Sequence, residues 1–279
     1  MPVLTAEDRK FWEENGYVVV HNAAPPENLK AAERAVWDFL EMQPDDPGSW
    51  YPDPPRSTIM TEMYQHQALW NNRQYPRVHQ AFAEIWGTEE LWVSIDRASM
   101  NPPELPDWKH PGGLHWDTKL EPPIEFWVQG VLYLTDTAAD QGAFTCVPGF
   151  HRQLEDWLKD LPPEANPREQ DLESLGARPI PGKAGDLIIW HSALPHGSSS
   201  NTATHPRVVQ YITMFPSQGY GEDARNHRIK AWRDRLAGLV IEVTGITTWK
   251  LRNEKEHQIG QTAELSPLGR KLLGLNRWE

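Results

Sequence analysis

The sequence predicts a β-sandwich or jelly roll with helical covers near both ends of the chain. Two observations indicate this fold class: many short apolar runs of strand length, separated by Gly- and Pro-rich turns, and helical spacing of apolar residues toward the two ends. The 279 residues contain no internal repeat and no linker that would divide them. We therefore expect one domain over residues 1–279, with a strand-rich core at about 91–216.

The N-terminal part is predicted to be mainly helical. Thr5 precedes an acidic first turn and Gly16 follows the last helical position, which predicts a helix that ends near Asn15. Tyr17–Val20 is typical of a short strand. A second helix is expected to open at Pro25-Pro26, with apolar residues at helical spacing. Residues 43–57 then form a loop rich in Pro, Asp and Gly, and residues 79–86 form the end of a further helix.

From residue 91 onward, strand-like runs replace the helical spacing. The pattern predicts one strand over residues 91–100 and a second over 126–134, with a Pro- and Gly-rich loop after the first. Further strands are expected at 143–147, 187–190, 195–198 and within 208–215, and a helix is expected at 151–161. The tail from Glu222 is predicted to be mostly helical, with apolar positions at Ile229, Trp232, Leu236 and Leu239.

Composition excludes several classes of protein. The net charge of −12 disfavours a nucleic-acid partner, because the chain would repel phosphate backbones. No apolar run of 18 residues is present and the first ten residues lack an apolar core, so we expect neither a membrane span nor a signal peptide. The single cysteine, Cys146, excludes an internal disulfide and a multi-cysteine zinc site. Together these features predict a cytoplasmic protein.

Three side chains form a candidate metal site. Side chains two positions apart on a strand point the same way, so His115 and Asp117 can reach one ion if their segment is extended. Of the 11 histidines in the sequence, only His115 has an acidic residue two positions later. We expect His196 to supply the third ligand. Two histidines and one carboxylate are the ligand set of non-haem Fe(II) oxygenases, which leave positions open for a cosubstrate and O2.

An arginine and a serine follow the last of these ligands. Arg207 enters an apolar strand 11 residues after His196. A guanidinium pairs bidentately with a carboxylate, which suits the far carboxylate of 2-oxoglutarate. Ser198 lies two residues after His196, so it faces the same way and can donate a second hydrogen bond.

Five segments of the chain match a known family: FWEENGYVV (11–19), HWD (115–117), LTD (134–136), GAFTCVPGFH (142–151, with a phenylalanine where the family usually has a small residue) and PHGSSSN (195–201). They resemble the phytanoyl-CoA dioxygenase family of Fe(II)- and 2-oxoglutarate-dependent oxygenases. The resemblance implies a double-stranded β-helix, that is, a cupin-like jelly roll, with His115, Asp117 and His196 as iron ligands and with Arg207 and Ser198 binding 2-oxoglutarate. A halogenase of this family would lack the carboxylate, so the presence of Asp117 disfavours halogenation.

The expected function is therefore a dioxygenase that acts on a small molecule. We expect hydroxylation of a small polar metabolite or natural-product intermediate with release of succinate and CO2, by a monomer or homodimer. Oxidative demethylation, desaturation or cyclisation by the same site are alternatives. So are a non-catalytic jelly roll that binds a metal or ligand, and another metal-dependent class such as a cupin-like isomerase or a zinc hydrolase. An acyl-CoA substrate is disfavoured by the acidic balance of the chain.

Four residues are candidates for contact with the substrate. Arg97 is a charge within an apolar strand and binds a carboxylate of the ligands or forms a structural ion pair. Gln129 and Tyr133 share one face of a strand and are expected to line the cavity. Trp50 lies in the Pro-rich loop, which we expect to act as a lid. Trp116 should point away from the metal by strand alternation.

Overall fold

The computed structural model describes residues 2–110, 112–237 and 255–278. Within these ranges none of the helices is both long enough and apolar enough to cross a membrane. The helices are α1 (Ala6–Asn15), α2 (Pro26–Leu40), α3 (Gln67–Arg73), α4 (Pro76–Trp86), α5 (Leu154–Asp160), α6 (Glu222–Asp234), α7 (Lys255–Ile259) and α8 (Pro267–Leu273). The strands are β1 (Tyr17–Val20), β2 (Met60–Thr61), β3 (Leu91–Val93), β4 (Ala98–Asn101), β5 (Val128–Tyr133), β6 (Phe144–Cys146), β7 (Arg178–Ile180), β8 (Leu187–His191), β9 (His196–Ser198), β10 (Arg207–Tyr211) and β11 (Met214–Pro216).

The strands form one large sheet and two small ones. The large sheet has six strands in the order β1-β8-β5-β10-β4-β2, and each neighbouring pair is antiparallel. The small sheets are β7-β6-β9 and β11-β3. Neighbours in the large sheet are distant in sequence, as in a jelly roll. Because β1 and β2 form its two edges, the sheet also includes residues that precede the predicted core at 91–216.

The two faces of the large sheet are buried in different ways. Successive residues of a strand point to opposite faces, and β10 illustrates the result. Val208 belongs to the hydrophobic core that packs with the helices, whereas Val209 belongs to the core shared with the small sheet β7-β6-β9. Burial of one such side chain stabilises the fold by about 1.5–3 kcal/mol. The helices thus seal the outer face, and the inner face is available for a site.

Local signals fix the N-terminal helix as predicted. The Thr5 hydroxyl accepts a hydrogen bond from the backbone N–H of Asp8, and the Asp8 carboxylate accepts one from the backbone N–H of Thr5, which forms a capping box. Gly16 ends the helix with a φ of 73°, a conformation that glycine adopts without steric penalty.

The C-terminal prediction needs a correction. Helix α6 ends at Asp234, because Arg235 takes a left-handed conformation with a φ of 56°. The apolar pattern predicted that the helix includes Leu236, but Leu236 lies beyond its end. Leu239 falls outside the described residues. Ile229 and Trp232 lie on α6 as expected.

The single strand predicted over residues 91–100 was wrong. The segment divides into β3 and β4, which belong to different sheets. The break lies at Ser94, whose backbone N–H donates to the Thr213 carbonyl while its hydroxyl accepts from the Thr213 backbone N–H. Thr213 also separates β10 from β11, so both partner strands leave the large sheet at the same point. The spacing of apolar residues does not indicate such a shared break. The sequence analysis also did not predict α3, β2 or β7.

Candidate active site

A cavity of about 420 Å³ is lined by residues of both principal sheets and by two loops. The large sheet contributes side chains from β5, β8 and β10, and the small sheet contributes β6 and β9. Residues 57–60 and the segment that contains His110 and His115 are the two loops of the described lining, and Asp96, Arg97 and Thr213 complete it. The inner face of the sandwich therefore holds a concave site of the size that small molecules occupy.

The predicted ligands lie together in this cavity. His115 and His196 pair through their backbones, with each N–H donating to the other's carbonyl at 2.9 Å. Asp117 points to the same side, with Oδ1 at 3.7 Å from Nε2 of His115 and Oδ2 at 3.5 Å from Nε2 of His196. One ligand atom from each residue lies within 4.8 Å of the others. We call these three residues the metal group.

The backbone fixes the orientation of both imidazoles. Nδ1 of His115 lies 3.0 Å from the carbonyl of Gly113, and Nδ1 of His196 lies 3.0 Å from the carbonyl of Leu194. A carbonyl only accepts hydrogen bonds, so each Nδ1 carries the proton and each Nε2 keeps its lone pair for an ion. Burial, followed by the nearby His196, lowers the pKa of His115, which favours the neutral imidazole that binds metals.

Gln129 orients the carboxylate of the metal group. Its side-chain amide donates to Oδ2 of Asp117 at 2.9 Å. Burial alone would raise the pKa of Asp117, but its interactions with His196, then with His115 and with the Gln129 amide, hold that pKa well below its usual range. The expectation that Gln129 lines the cavity agrees with the structure, and its amide is directed to Asp117.

Arg168 holds the backbone on both sides of Asp117. Its guanidinium donates to the carbonyl of Trp116 at 2.6 Å and to that of Thr118 at 2.6 Å. The Trp116 side chain points into the inner core, where its N–H donates to the Ala193 carbonyl, in agreement with the predicted packing role. Sequence reasoning missed Arg168, which lies in a short 3-10 helix (Pro167–Glu169) about 50 residues after the carbonyls it binds and belongs to no motif.

A second cluster lies around Arg207, which is the first residue of β10 and has its side chain on the inner face of the large sheet. Arg207 is 2% exposed, its Nη2 donates to the Ser99 hydroxyl at 3.2 Å, and its Nε is buried without a hydrogen-bond partner among the described residues. The Ser198 hydroxyl lies 2.7 Å from Nε2 of His110. We call Arg207, Ser198 and His110 the anion group.

The positive charge of Arg207 is not neutralised by a carboxylate of the described residues. In the part of the chain that the structure describes, no carboxylate lies within 4.0 Å of its guanidinium. A buried charge is costly to hold unless it is paired, so an anionic ligand suits the cavity here. The donor sets of the metal group and the anion group together fit Fe(II) and a dicarboxylic keto acid.

Arg97 both lines the cavity and forms ion pairs. Its guanidinium lies 3.4 Å from the Glu62 carboxylate and 3.4 Å from the Asp96 carboxylate, and above the Tyr64 ring. Two acidic groups therefore neutralise this arginine, which makes it a weaker anchor for an anionic ligand than Arg207.

Two predicted substrate contacts need correction. Tyr133 does share a face with Gln129, but it is fully buried beyond the cavity wall, where its hydroxyl donates to the Ile180 carbonyl and accepts from the backbone N–H of Phe144. Trp50 is 4% exposed within the outer core, and its N–H donates to the Gln43 carbonyl. Neither side chain lines the cavity, so Trp50 is not the lid that the Pro-rich loop suggested.

Comparisons with known proteins agree with this geometry. The model of the phytanoyl-CoA dioxygenase family matches residues 12–209, a range that includes every member of the metal group and the anion group. An ectoine dioxygenase from Bordetella bronchiseptica is 24% identical over 234 residues, which cover 75% of this chain and 74% of the relative.

Solved structures resemble the fold. The GlcNAc-inducible gene 2 protein from Candida albicans aligns with a TM-score of 0.70 at 14% identity, covering 99% of this chain and 77% of its own. The epimerase SnoN, solved with Fe3+, α-ketoglutarate and nogalamycin RO, aligns with a TM-score of 0.55 at 17% identity, covering 76% of this chain and 83% of its own. These likenesses confirm the cupin-like jelly roll that the sequence predicted. With a family match over more than half of its length, the chain belongs to the phytanoyl-CoA dioxygenase family and is a 2-oxoglutarate-dependent dioxygenase.

Proposed function

We propose that this protein uses Fe(II), 2-oxoglutarate and O2 to hydroxylate a small polar metabolite or natural-product intermediate. The observation that carries the proposal is the presence, in one cavity, of the metal group and of a buried arginine that no carboxylate of the described chain neutralises. A metal-binding protein or a zinc hydrolase needs the first feature but has no need of the second.

Each group has a defined task in this proposal. His115, Asp117 and His196 would hold Fe(II) through two Nε2 atoms and one carboxylate oxygen, which leaves coordination positions open. Arg207 and Ser198 would hold the distal carboxylate of 2-oxoglutarate by charge-assisted hydrogen bonds. When bound, the iron, the keto acid and O2 supply the oxidation and release succinate and CO2.

Part of the remaining lining is apolar. Val131, Phe144 and Trp190 contribute hydrocarbon and aromatic surface to the same cavity, and the rings of Phe144 and Trp190 lie 4.4 Å apart. Such surface excludes water, which strengthens the electrostatic interactions of the bound ligands and limits side reactions. Gln129 contributes indirectly, because it keeps Asp117 directed at the histidines.

Cavity size and charge support a small polar substrate. A cavity of about 420 Å³ that also receives 2-oxoglutarate leaves room for a small molecule rather than for a coenzyme A thioester. The described lining contains two arginines, Arg97 and Arg207, and no lysine, and Arg97 is neutralised by Glu62 and Asp96. The cavity therefore offers no cluster of positive charge for the phosphates of coenzyme A. The relative named ectoine dioxygenase is a family match whose name gives a substrate other than an acyl-CoA.

Cosubstrate binding gives the first test. Fe(II) and 2-oxoglutarate are added without oxygen, and the metal-to-ligand charge-transfer absorption is recorded for the wild-type protein, His115→Ala and Arg207→Ala. We expect the absorption band in the wild-type protein and its absence in His115→Ala. In Arg207→Ala the band should appear only at a higher concentration of 2-oxoglutarate. Absence of the band in the wild-type protein would refute the proposed cofactors.

The substrate and the outcome of oxidation are tested next. Succinate release is measured with a panel of small polar metabolites, and each product is analysed by mass spectrometry. A product that gains one oxygen atom supports hydroxylation. A product that loses two hydrogens would instead indicate desaturation or cyclisation, and one that loses a methyl group would indicate demethylation.

A further inference from the structure

His110 is built into the cavity wall beside the proposed cosubstrate residues. Its ring lines the same cavity as Arg207 and Ser198, and its Nε2 lies 2.7 Å from the Ser198 hydroxyl. The chain is shaped around this ring: a Cβ at Gly112 would lie 2.9 Å from Cε1 and Nε2 of His110, closer than real Cβ atoms approach. The backbone N–H of His110 also donates to the Glu104 carboxylate at 3.4 Å.

The electrostatics around His110 favour an anion. Burial, and then the positive charge of Arg207, lower the pKa of His110 to about 4, and the more weakly acting Glu104 does not compensate. The imidazole is therefore neutral near pH 7, with one N–H to donate. Nε of Arg207, in the same cluster, is buried without a hydrogen-bond partner among the described residues. This unpaired N–H indicates an arrangement that a ligand with an acceptor oxygen completes.

We propose that His110 is a third binding residue for the distal carboxylate of the cosubstrate, and that its ring holds the Ser198 hydroxyl in place until that carboxylate binds. A carboxylate offers about four acceptor positions on two oxygens. Arg207 fills two of them in a bidentate pair, and the remaining two accept from the Ser198 hydroxyl and from Nε2–H of His110. The single hydrogen bond between Ser198 and His110 is thereby replaced by one bond from each residue to the ligand.

The inference rests on the proposed function, so its test separates the two. The dissociation constants of 2-oxoglutarate and of 2-oxobutyrate are measured anaerobically with Fe(II), by charge-transfer absorption. Both keto acids chelate a metal in the same way, but 2-oxobutyrate has no distal carboxylate. The variants are His110→Ala and His110→Gln, whose amide retains a donor, with His79→Gln as a control for a buried histidine outside the cavity. Mn(II) affinity without keto acid is measured for each variant.

For His110→Ala we expect the dissociation constant of 2-oxoglutarate to rise about 10-fold, as for the loss of one hydrogen bond to a charged group. That of 2-oxobutyrate and the affinity for Mn(II) should stay within about twofold, since neither depends on the distal carboxylate. His110→Gln should restore part of the loss, and His79→Gln should leave all three affinities unchanged.

Two results would overturn the inference while the proposed function stands. One is an unchanged affinity of His110→Ala for 2-oxoglutarate. The other is an equal loss for both keto acids, which would mean that His110 only supports the local structure. A wild-type protein that shows no absorption with 2-oxoglutarate would instead refute the proposed function, and this inference with it.

Discussion

The metal group and the anion group line one cavity, but the protein completes them to different degrees. In the metal group, both Nδ1 atoms are bonded to backbone carbonyls, and Asp117 receives the amide of Gln129. In the anion group, Nε of Arg207 has no hydrogen-bond partner in the described parts of the chain. The chain therefore preorganises the metal group, whereas a bound anion would complete the other.

This difference follows from how each group is assembled. Each ligand histidine binds the carbonyl two residues before it in the chain, that of Gly113 for His115 and that of Leu194 for His196. These contacts are local, so they form wherever the two extended segments form. The anion group instead joins side chains from β10, β9 and a loop through contacts that are distant in sequence. We expect metal binding and cosubstrate binding to respond separately to mutation.

The largest effect is expected from Asp117→Ala. Removal of this carboxylate takes away one of three metal ligands, and loss of even an outer partner of a ligand costs about 10- to 100-fold in metal affinity or activity. We expect Fe(II) affinity and succinate production to fall by more than about 100-fold. Isothermal titration with Mn(II) and a succinate assay measure both. Asp136→Ala, which removes an exposed carboxylate outside the cavity, is the control. Metal affinity retained by Asp117→Ala would contradict the proposed ligand set.

Arg207→Lys comes next and tests whether the two groups are separable. Lysine keeps the charge but cannot pair bidentately with a carboxylate. We expect the dissociation constant of 2-oxoglutarate to rise by about 10- to 100-fold, in line with the loss of a charge-assisted hydrogen bond. The affinity for Mn(II) in the absence of keto acid should not change. An equal loss of both affinities would contradict the separation of the two groups, because it would show that the anion group also supports the metal group.

Gln129→Leu distinguishes the two roles that this residue can have. If its amide orients Asp117, Mn(II) affinity falls by about 10-fold, the size of effect seen for outer partners of metal ligands. If it binds substrate instead, KM for the substrate rises while Mn(II) affinity stays at the wild-type value. We expect the first result. Gln141→Leu, at a half-buried glutamine outside the cavity, is the matched control.

The smallest functional effect is expected from Tyr133→Phe. The change deletes a buried hydroxyl, and with it the hydrogen bonds to the Ile180 carbonyl and from the Phe144 backbone N–H. We expect the free energy of unfolding to fall by about 1–3 kcal/mol, measured by urea denaturation. The dissociation constant of 2-oxoglutarate and the KM for substrate should stay unchanged, because the side chain does not line the cavity. A changed KM in a folded variant would restore Tyr133 as a substrate contact.

The sequence by itself determined the parts of this protein that depend on neighbouring residues. The helix that starts after Thr5 and the strand Tyr17–Val20 follow from capping and from short-range patterns, and both were confirmed. The grouping of His115 with Asp117 is equally local, because alternation along an extended chain puts the two side chains on one side. The addition of His196 and Arg207 rested on motif order and spacing, and the structure brings both into the same cavity.

Only the tertiary structure decided how deep each side chain lies and which partner it meets. Alternation predicts that Gln129 and Tyr133 share a face, but it does not show that Gly182 leaves room for the Tyr133 ring inside the core, where a Cβ would lie 2.8 Å from that ring. The break in the strand at Ser94 and the placement of Arg168 and His110 likewise depend on segments distant in sequence. Periodicity reports the direction of a side chain, whereas packing between elements decides whether it meets solvent, ligand or another side chain.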